Sequence, residues 1–143
     1  YVLCRGVREQ LRTAAEKKNI TVDLEGGPVA VRGVPQVLEE MIYNLCDNAI
    51  AYNRNGGHVK LTAERVGRGA RVVVEDNGVG IARDQQERVF ERFYRVDKSH
   101  SGRGTGLGLS IVKHGAAFHG AQVSLQSHEG EGTTVTLTFP EAE

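Results

Sequence analysis

The sequence predicts an α/β (α+β) two-layer sandwich, a mixed sheet of about five or more strands with three main helices on one face. Three observations predict it. Apolar residues recur at helical spacing over residues 2–17, from Pro35 to Ile50, and again after the glycine run 102–108. Two pairs of segments alternate apolar and polar residues and are joined by glycine-rich turns. The 143 residues contain no internal repeat and no linker, which suits one domain over 1–143.

The first helix carries Val2, Leu3, Val7, Leu11, Ala14 and Ala15 on one side, with charges elsewhere, and Asn19 ends it. Residues 20–24 alternate as a strand, Gly26-Gly27-Pro28 turns, and Val29 to Val31 reads as a short second strand. Pro35 suits a first helical turn. Val37, Leu38, Met41, Ile42, Leu45, Cys46, Ala49 and Ile50 then trace a broad apolar stripe, closed by residues 53–57. Residues 58–64 and 70–75 form a predicted β-hairpin, and residues 84–93 a predicted short helix. Residues 96–105 lack apolar periodicity and are expected to be mobile. A third helix follows the glycine run and ends near His119-Gly120, a terminus where a cation is favourable. Gln122 to Ser127 and Thr133 to Phe139 make a second hairpin.

Composition excludes several classes. Lys+Arg 18 against Asp+Glu 18 gives no net charge, so bulk charge points to no nucleic-acid partner. The 18 glycines exceed the usual ~7% and cluster in loops. Cys4 and Cys46 form neither a disulfide framework nor a zinc site, which makes a reducing compartment the default. No apolar run reaches membrane-spanning length, and no signal-peptide pattern is present. The chain opens on the apolar Tyr1-Val2-Leu3, as a piece of a longer protein would.

Residues 102–110, Gly-Arg-Gly-Thr-Gly-Leu-Gly-Leu-Ser, carry the first chemical signal. A glycine loop feeding a helix start points backbone N–H groups at one spot, with the positive end of the helix dipole behind them. That makes an anion site, although glycine loops also serve as plain turns. Asn44 and Asn48 lie four apart, on one face of the central helix. Asn is a poor helix former, so two in mid-helix need a reason. Either Asn48 offers an amide oxygen to a hard cation such as Mg²⁺, or both belong to a solvated polar face. Tyr52, one turn on, is placed to stack or hydrogen-bond at a pocket rim. Asp76 precedes the glycine turn Asn77 to Ile81. Its carboxylate either accepts a hydrogen bond from an adenine amine or belongs to an ordinary Asp-Asn-Gly turn. Gly78 and Gly80 would let a flat ring lie against backbone, and the Thr133 hydroxyl could reach the base through water. Phe90, Phe93 and Tyr94 accompany Arg92 and Arg95. Arg95 or Lys98 could reach terminal phosphates, while the two Phe rings suit helix packing. The five histidines show no zinc spacing and read as surface residues.

These motifs fall in one order. Residues 44–52 resemble the N box of sensor histidine kinases, 76–80 their G1 box, 90–95 the F box, and 102–110 the G2 box. Residues 130–133 are similar to the last glycine turn. The chain thus resembles, over nearly its whole length, the catalytic and ATP-binding domain of a bacterial two-component sensor kinase. The resemblance implies the Bergerat fold shared with gyrase-type ATPases and Hsp90. It implies Mg-ATP as cofactor, Asn48 as metal ligand and Asn44 close to the phosphates. It further implies Asp76 on the adenine amine, Gly78 and Gly80 beside the ring, and Arg95 near the γ-phosphate. Ile81 and Tyr52 are counted with the ATP-binding residues, as is Lys98. Residues 96–103 would form an ATP lid that includes Gly102. The amides after Gly104, through Thr105, Gly106, Leu107, Gly108 and Leu109, would hold phosphates.

The implied partners are a helical hairpin bearing the phosphoacceptor histidine, expected upstream of Tyr1, and a response regulator receiver domain. Dimerisation is assigned to that hairpin, so the chain itself is expected to be a monomer and the parent a homodimer, a cytoplasmic domain on a membrane-anchored protein. One residue departs from the match. Ala51 stands where many members carry Lys, leaving Arg54 or Lys98 as substitutes. Asn44 occupies the position where related ATPases and serine kinases place a Glu base, and Glu40 is about 6 Å of rise away. An imidazole nitrogen already has a lone pair and needs less help than a hydroxyl. The residue therefore favours transfer to histidine. A nucleotide-binding regulatory module, or an ATPase of the same superfamily without histidine transfer, are the alternatives.

Overall fold

A computed structural model describes residues 1–86, 88, 89 and 105–140 of the chain. In chain order the elements are α1 (Val2–Gln10), α2 (Arg12–Lys17), β1 (Thr21–Gly26), α3 (Pro35–Ala51), β2 (His58–Val66), β3 (Gly69–Asp76), a 3₁₀ turn (Arg83–Gln85), α4 (Thr105–Phe118), β4 (Gln122–His128) and β5 (Gly132–Phe139). The strands form one mixed sheet in the order β1-β2-β3-β5-β4. Only β1 and β2 run parallel; the other pairs are antiparallel. Both predicted hairpins are present.

Period-two burial puts one set of side chains under the helices. Val59, Leu61 and Ala63 of β2, Ala70, Val72 and Val74 of β3, and Val135, Leu137 and Phe139 of β5 are all buried. They meet Val7, Leu38, Met41, Ile42, Leu45 and Cys46 in one core. The opposite face carries cross-strand ion pairs such as Lys60–Glu25, 3.4 Å apart, and the Arg71–Glu64 pair. Helices α3 and α4 approach closely at Gly115, where a Cβ would lie 2.6 Å from Met41 Sδ. Burial raises the thiol pKa of both Cys4 and Cys46, so each acts as a small core hydrophobe.

Three expectations change in detail. The first helix is interrupted at Leu11 (φ −94°, ψ 5°), although Leu11 N–H still bonds Val7 O at 3.0 Å. Leu11 is buried, and this local opening lets α2 follow the core toward β1. Asn19 does end the helix, at φ 55°, with Ile20 N–H returning to Ala15 O. Residues 29–31 form no strand. Gly26 ends β1 at φ +100° and Pro28 has no N–H to donate, so Val29 and Val31 pack against the core without joining the sheet. Of the helix expected over 84–93, the described residues give the 3₁₀ turn Arg83–Gln85 at its start; 87 and 90–93 lie outside the described residues.

The C-terminus of α3 is held by a cation from far off in sequence. Lys18 Nζ donates to Ile50 O (3.1 Å), Ala51 O (2.9 Å) and Asn53 O (2.8 Å). These carbonyls lie at the negative pole of the helix, where Ile50 O also accepts the Asn53 N–H at 3.2 Å. Desolvation pulls the Lys18 pKa below its ordinary value. Lys18→Met should lower unfolding free energy by about 2 kcal/mol, the worth of hydrogen bonds from a charged group. Urea melts check this; a midpoint equal to wild type would show the cap to be idle.

Candidate nucleotide site

The site is built where α3 ends and the loop after β3 folds back on the β4–β5 turn. Asp76 is the last residue of β3 and is paired in register with Thr133 of β5. Its Oδ1 accepts the Gly78 N–H at 2.9 Å. Burial pushes the carboxyl up to about 6, with neighbouring Glu75 adding to the rise, while the N–H groups of Gly78 and Thr133 oppose it.

The loop is fixed by backbone contacts that only glycine permits. A Cβ on Gly78 would lie 2.6 Å from Tyr52 O, and one on Gly80 (φ +72°) 2.2 Å from His128 O. Val79 N–H bonds Tyr52 O at 3.2 Å, and Gly130 N–H bonds Val79 O at 2.7 Å. Arg54 Nη2 donates to Gly130 O and, at 3.5 Å, to Gly78 O. Arg54 therefore ties the two loops together. Its Nη2 is engaged there.

Beneath the loop lies a polar knot. Ser127 is 8% exposed. Its Oγ accepts Ile81 N–H at 2.7 Å, lies 3.0 Å from Gly132 O and 2.8 Å from Thr133 Oγ1. Gln86 Nε2 donates to Ile81 O and Ser127 O. Asp76, Ile81 and Thr133 line a common cavity of about 910 Å³, together with Gln86 and Ser127.

Asn44, Asn48 and Tyr52 descend one face of α3 toward this loop. Asn44 Nδ2 donates to Glu40 O at 2.7 Å, so its amide oxygen is the end left for a ligand. The Asn48 Nδ2 is buried and has no hydrogen-bond partner among the described residues. Neither Asn lines the cavity around Asp76. Glu40 is exposed. Backbone of Thr105, Gly106, Leu107, Gly108 and Leu109 forms the first turn of α4. Arg95, Lys98, Gly102, Gly104 and the lid expected over 96–103 lie outside the described residues.

His119 corrects the cation expected at the end of α4. Val34 N–H donates to His119 Nε2 at 3.1 Å, and Nδ1 lies 2.8 Å from Gly115 O. Nε2 is thus an acceptor and the ring proton sits on Nδ1, fastening the entry of α3 to α4. Ser127, Gln86 and Lys18 were not singled out in the sequence. Ser127 carries a readable signal: it is the polar member of the inward series Val123, Leu125, Ser127.

The family described as histidine kinase-, DNA gyrase B-, and HSP90-like ATPase matches residues 33–143. The chain belongs to that family. Its histidine-kinase-type catalytic domain is 46% identical over 134 residues to the sensor-like histidine kinase SenX3 of Mycolicibacterium smegmatis, covering 91% of this chain and 35% of that protein. It is 40% identical over 124 residues to the sensor histidine kinase RppB of Synechocystis, covering 85% of this chain and 27% of RppB. The chain thus spans about a third of the length of the curated relatives it matches. The catalytic domain of the histidine kinase ThkA superposes with a TM-score of 0.84 at 26% identity, covering 98% of this chain and 91% of that one. Full-length ShkA, in complex with AMPPNP, gives 0.84 at 31% identity, covering 98% of this chain and 29% of that one. The five-stranded mixed sheet with its helices is the histidine kinase catalytic fold. Among the described residues, no helix is long and apolar enough to cross a membrane.

Proposed function

We propose that this domain binds Mg-ATP and hands the γ-phosphoryl group to a histidine on a separate helical hairpin, for relay to a response regulator receiver domain. The observation that carries the reading is Asp76: a buried carboxylate, raised to about 6, at the edge of a cavity it shares with Thr133. Ionised, it has lone pairs for an adenine amine; a base lacking that donor would leave it unpaired.

The residues present fit a magnesium ion. Asn48 offers one hard oxygen ligand, and the Nδ2 end of the same amide, buried without a partner among the described residues, is not tied to the chain. Among those residues no group of three His, Cys, Asp or Glu is gathered for a metal. A cation there would therefore share oxygens of phosphate and water, the mode typical of Mg²⁺. When bound, it offsets phosphate charge in the transfer. Asn44 presents its oxygen one turn away and has no acid–base chemistry to offer. Arg95 and the amides after Gly104 are the proposed donors for the transferring group, with Lys98 and Gly102 on the proposed lid. With Asn44 where a general base would stand, the acceptor must carry its own lone pair, as imidazole does.

Labelling tests this. The chain, Mg²⁺ and γ-labelled ATP, mixed with a helical hairpin from a similar sensor kinase, should give acid-labile label on the hairpin histidine. Steady phosphate release without an acceptor, and no label on the hairpin, would reassign the domain as an ATPase. We further propose a monomeric state for this chain and a homodimeric, membrane-anchored parent with this domain in the cytoplasm.

A further inference from the structure

We propose that Ser127 sets the base selectivity of the pocket by holding the Thr133 hydroxyl as a hydrogen-bond acceptor. The inference rests on the adenine reading of the cavity and deepens it. Ser127 Oγ has one proton and two lone pairs. One lone pair takes Ile81 N–H at 2.7 Å. The proton goes to Gly132 O, 3.0 Å away, a carbonyl that can only accept. The second lone pair then takes the proton of Thr133 Oγ1 at 2.8 Å. Every valence of Ser127 is used, and the Thr133 proton points into the protein. What Thr133 shows the cavity is lone pairs only.

Thr133 lies opposite Asp76 in the β3–β5 register, and both line the cavity. The wall therefore presents two acceptors side by side. An amino group at position 6 of a purine satisfies them, directly or through a water. A carbonyl at position 6 meets lone pairs from both. A free Thr133 hydroxyl could rotate and donate to that carbonyl; Ser127 removes this option. Gln86, bonded to Ser127 O and Ile81 O, keeps the knot in register at 3.0 and 2.9 Å. Ser127 does not touch the base in this scheme. It is a positioning residue.

The test is calorimetric binding of ATP and inosine triphosphate to the whole chain. The two nucleotides share ribose, triphosphate and metal, so their affinity ratio isolates the purine edge at positions 6 and 1. Ser127→Ala should lower the ATP preference about tenfold, the worth of one hydrogen bond. Ser127→Thr, which keeps the hydroxyl, should retain it. Thr133→Val should weaken ATP binding yet still reject inosine triphosphate, and adding Thr133→Val to Ser127→Ala should restore the preference. Simple loosening of the pocket would not produce that restoration. If Ser127→Ala does not fold, Ser127→Cys reads the same ratio. A ratio unchanged in the folded variant, with both nucleotides weakened alike, overturns the proposal while leaving the ATP reading intact. A wild-type chain that binds neither nucleotide overturns the ATP reading itself.

Discussion

At pH 7, Asp76→Asn should make the nucleotide-free domain more stable, by on the order of 2 kcal/mol, while weakening ATP binding roughly 10- to 100-fold. The stability arm follows from linkage. Burial raises the folded-state pKa from 3.8 to about 6. Between those values the folded protein holds a proton that the unfolded chain has released. Stability therefore falls as pH rises through this window, and above pH 6 the full cost of a buried charge is present. Asn keeps an acceptor oxygen for the Gly78 N–H and drops the charge. The gain should appear as a melting temperature several degrees higher at pH 7 and should vanish near pH 4. The binding arm follows from the same charge, which favours a donor on the ligand. Thermal melts from pH 4 to 8, with and without ATP, check both arms. A variant that melts below wild type at pH 7, or one that binds ATP unchanged, would show that the carboxylate is structural.

What could be read in the sequence is what repeats or clusters locally. The alternation in β2, β3, β4 and β5 and the stripe from Val37 to Ile50 gave fold and layer order, because side-chain period and burial are the same signal. Asn44, Asn48, Asp76 and the glycine loops were legible because each breaks a local rule. What could not be read came from contacts that join distant segments. Val29 and Val31 have strand-like residues, but whether they pair depends on the ladder that Pro28 denies them. Arg54 looked available for phosphate, and only the fold brings Gly130 O and Gly78 O to it. Gly78 and Gly80 looked like clearance for a ring. The Cβ clashes with Tyr52 O and His128 O give a reason for glycine that needs no ligand. Lys18 is the clearest case, since no pattern near residue 18 reveals that three carbonyls from residues 50–53 will surround its ammonium.

Asn48→Ala should lower Mg²⁺-dependent phosphoryl transfer at least about 100-fold, roughly 3 kcal/mol of transition-state stabilisation, without loss of stability in the nucleotide-free domain. The two parts share one origin. An amide donor buried without a partner costs about 1–3 kcal/mol, and the Asn48 Nδ2 is such a group among the described residues. Alanine removes that cost and is the better helix former by about half a kcal/mol, against the packing lost from a small, half-buried side chain. Asn48→Asp separates ligation from charge. It keeps oxygen for the cation but sets a second negative charge beside a triphosphate, so nucleotide affinity should fall even where Mg²⁺ is still held. ATP titrations with and without Mg²⁺ distinguish these cases. Wild type should show a large affinity gain from the metal, and Asn48→Ala almost none. Equal transfer by wild type and Asn48→Ala would refute the ligand assignment. A neutral amide is the side chain that offers a hard oxygen without repelling the anion that must bind next to it.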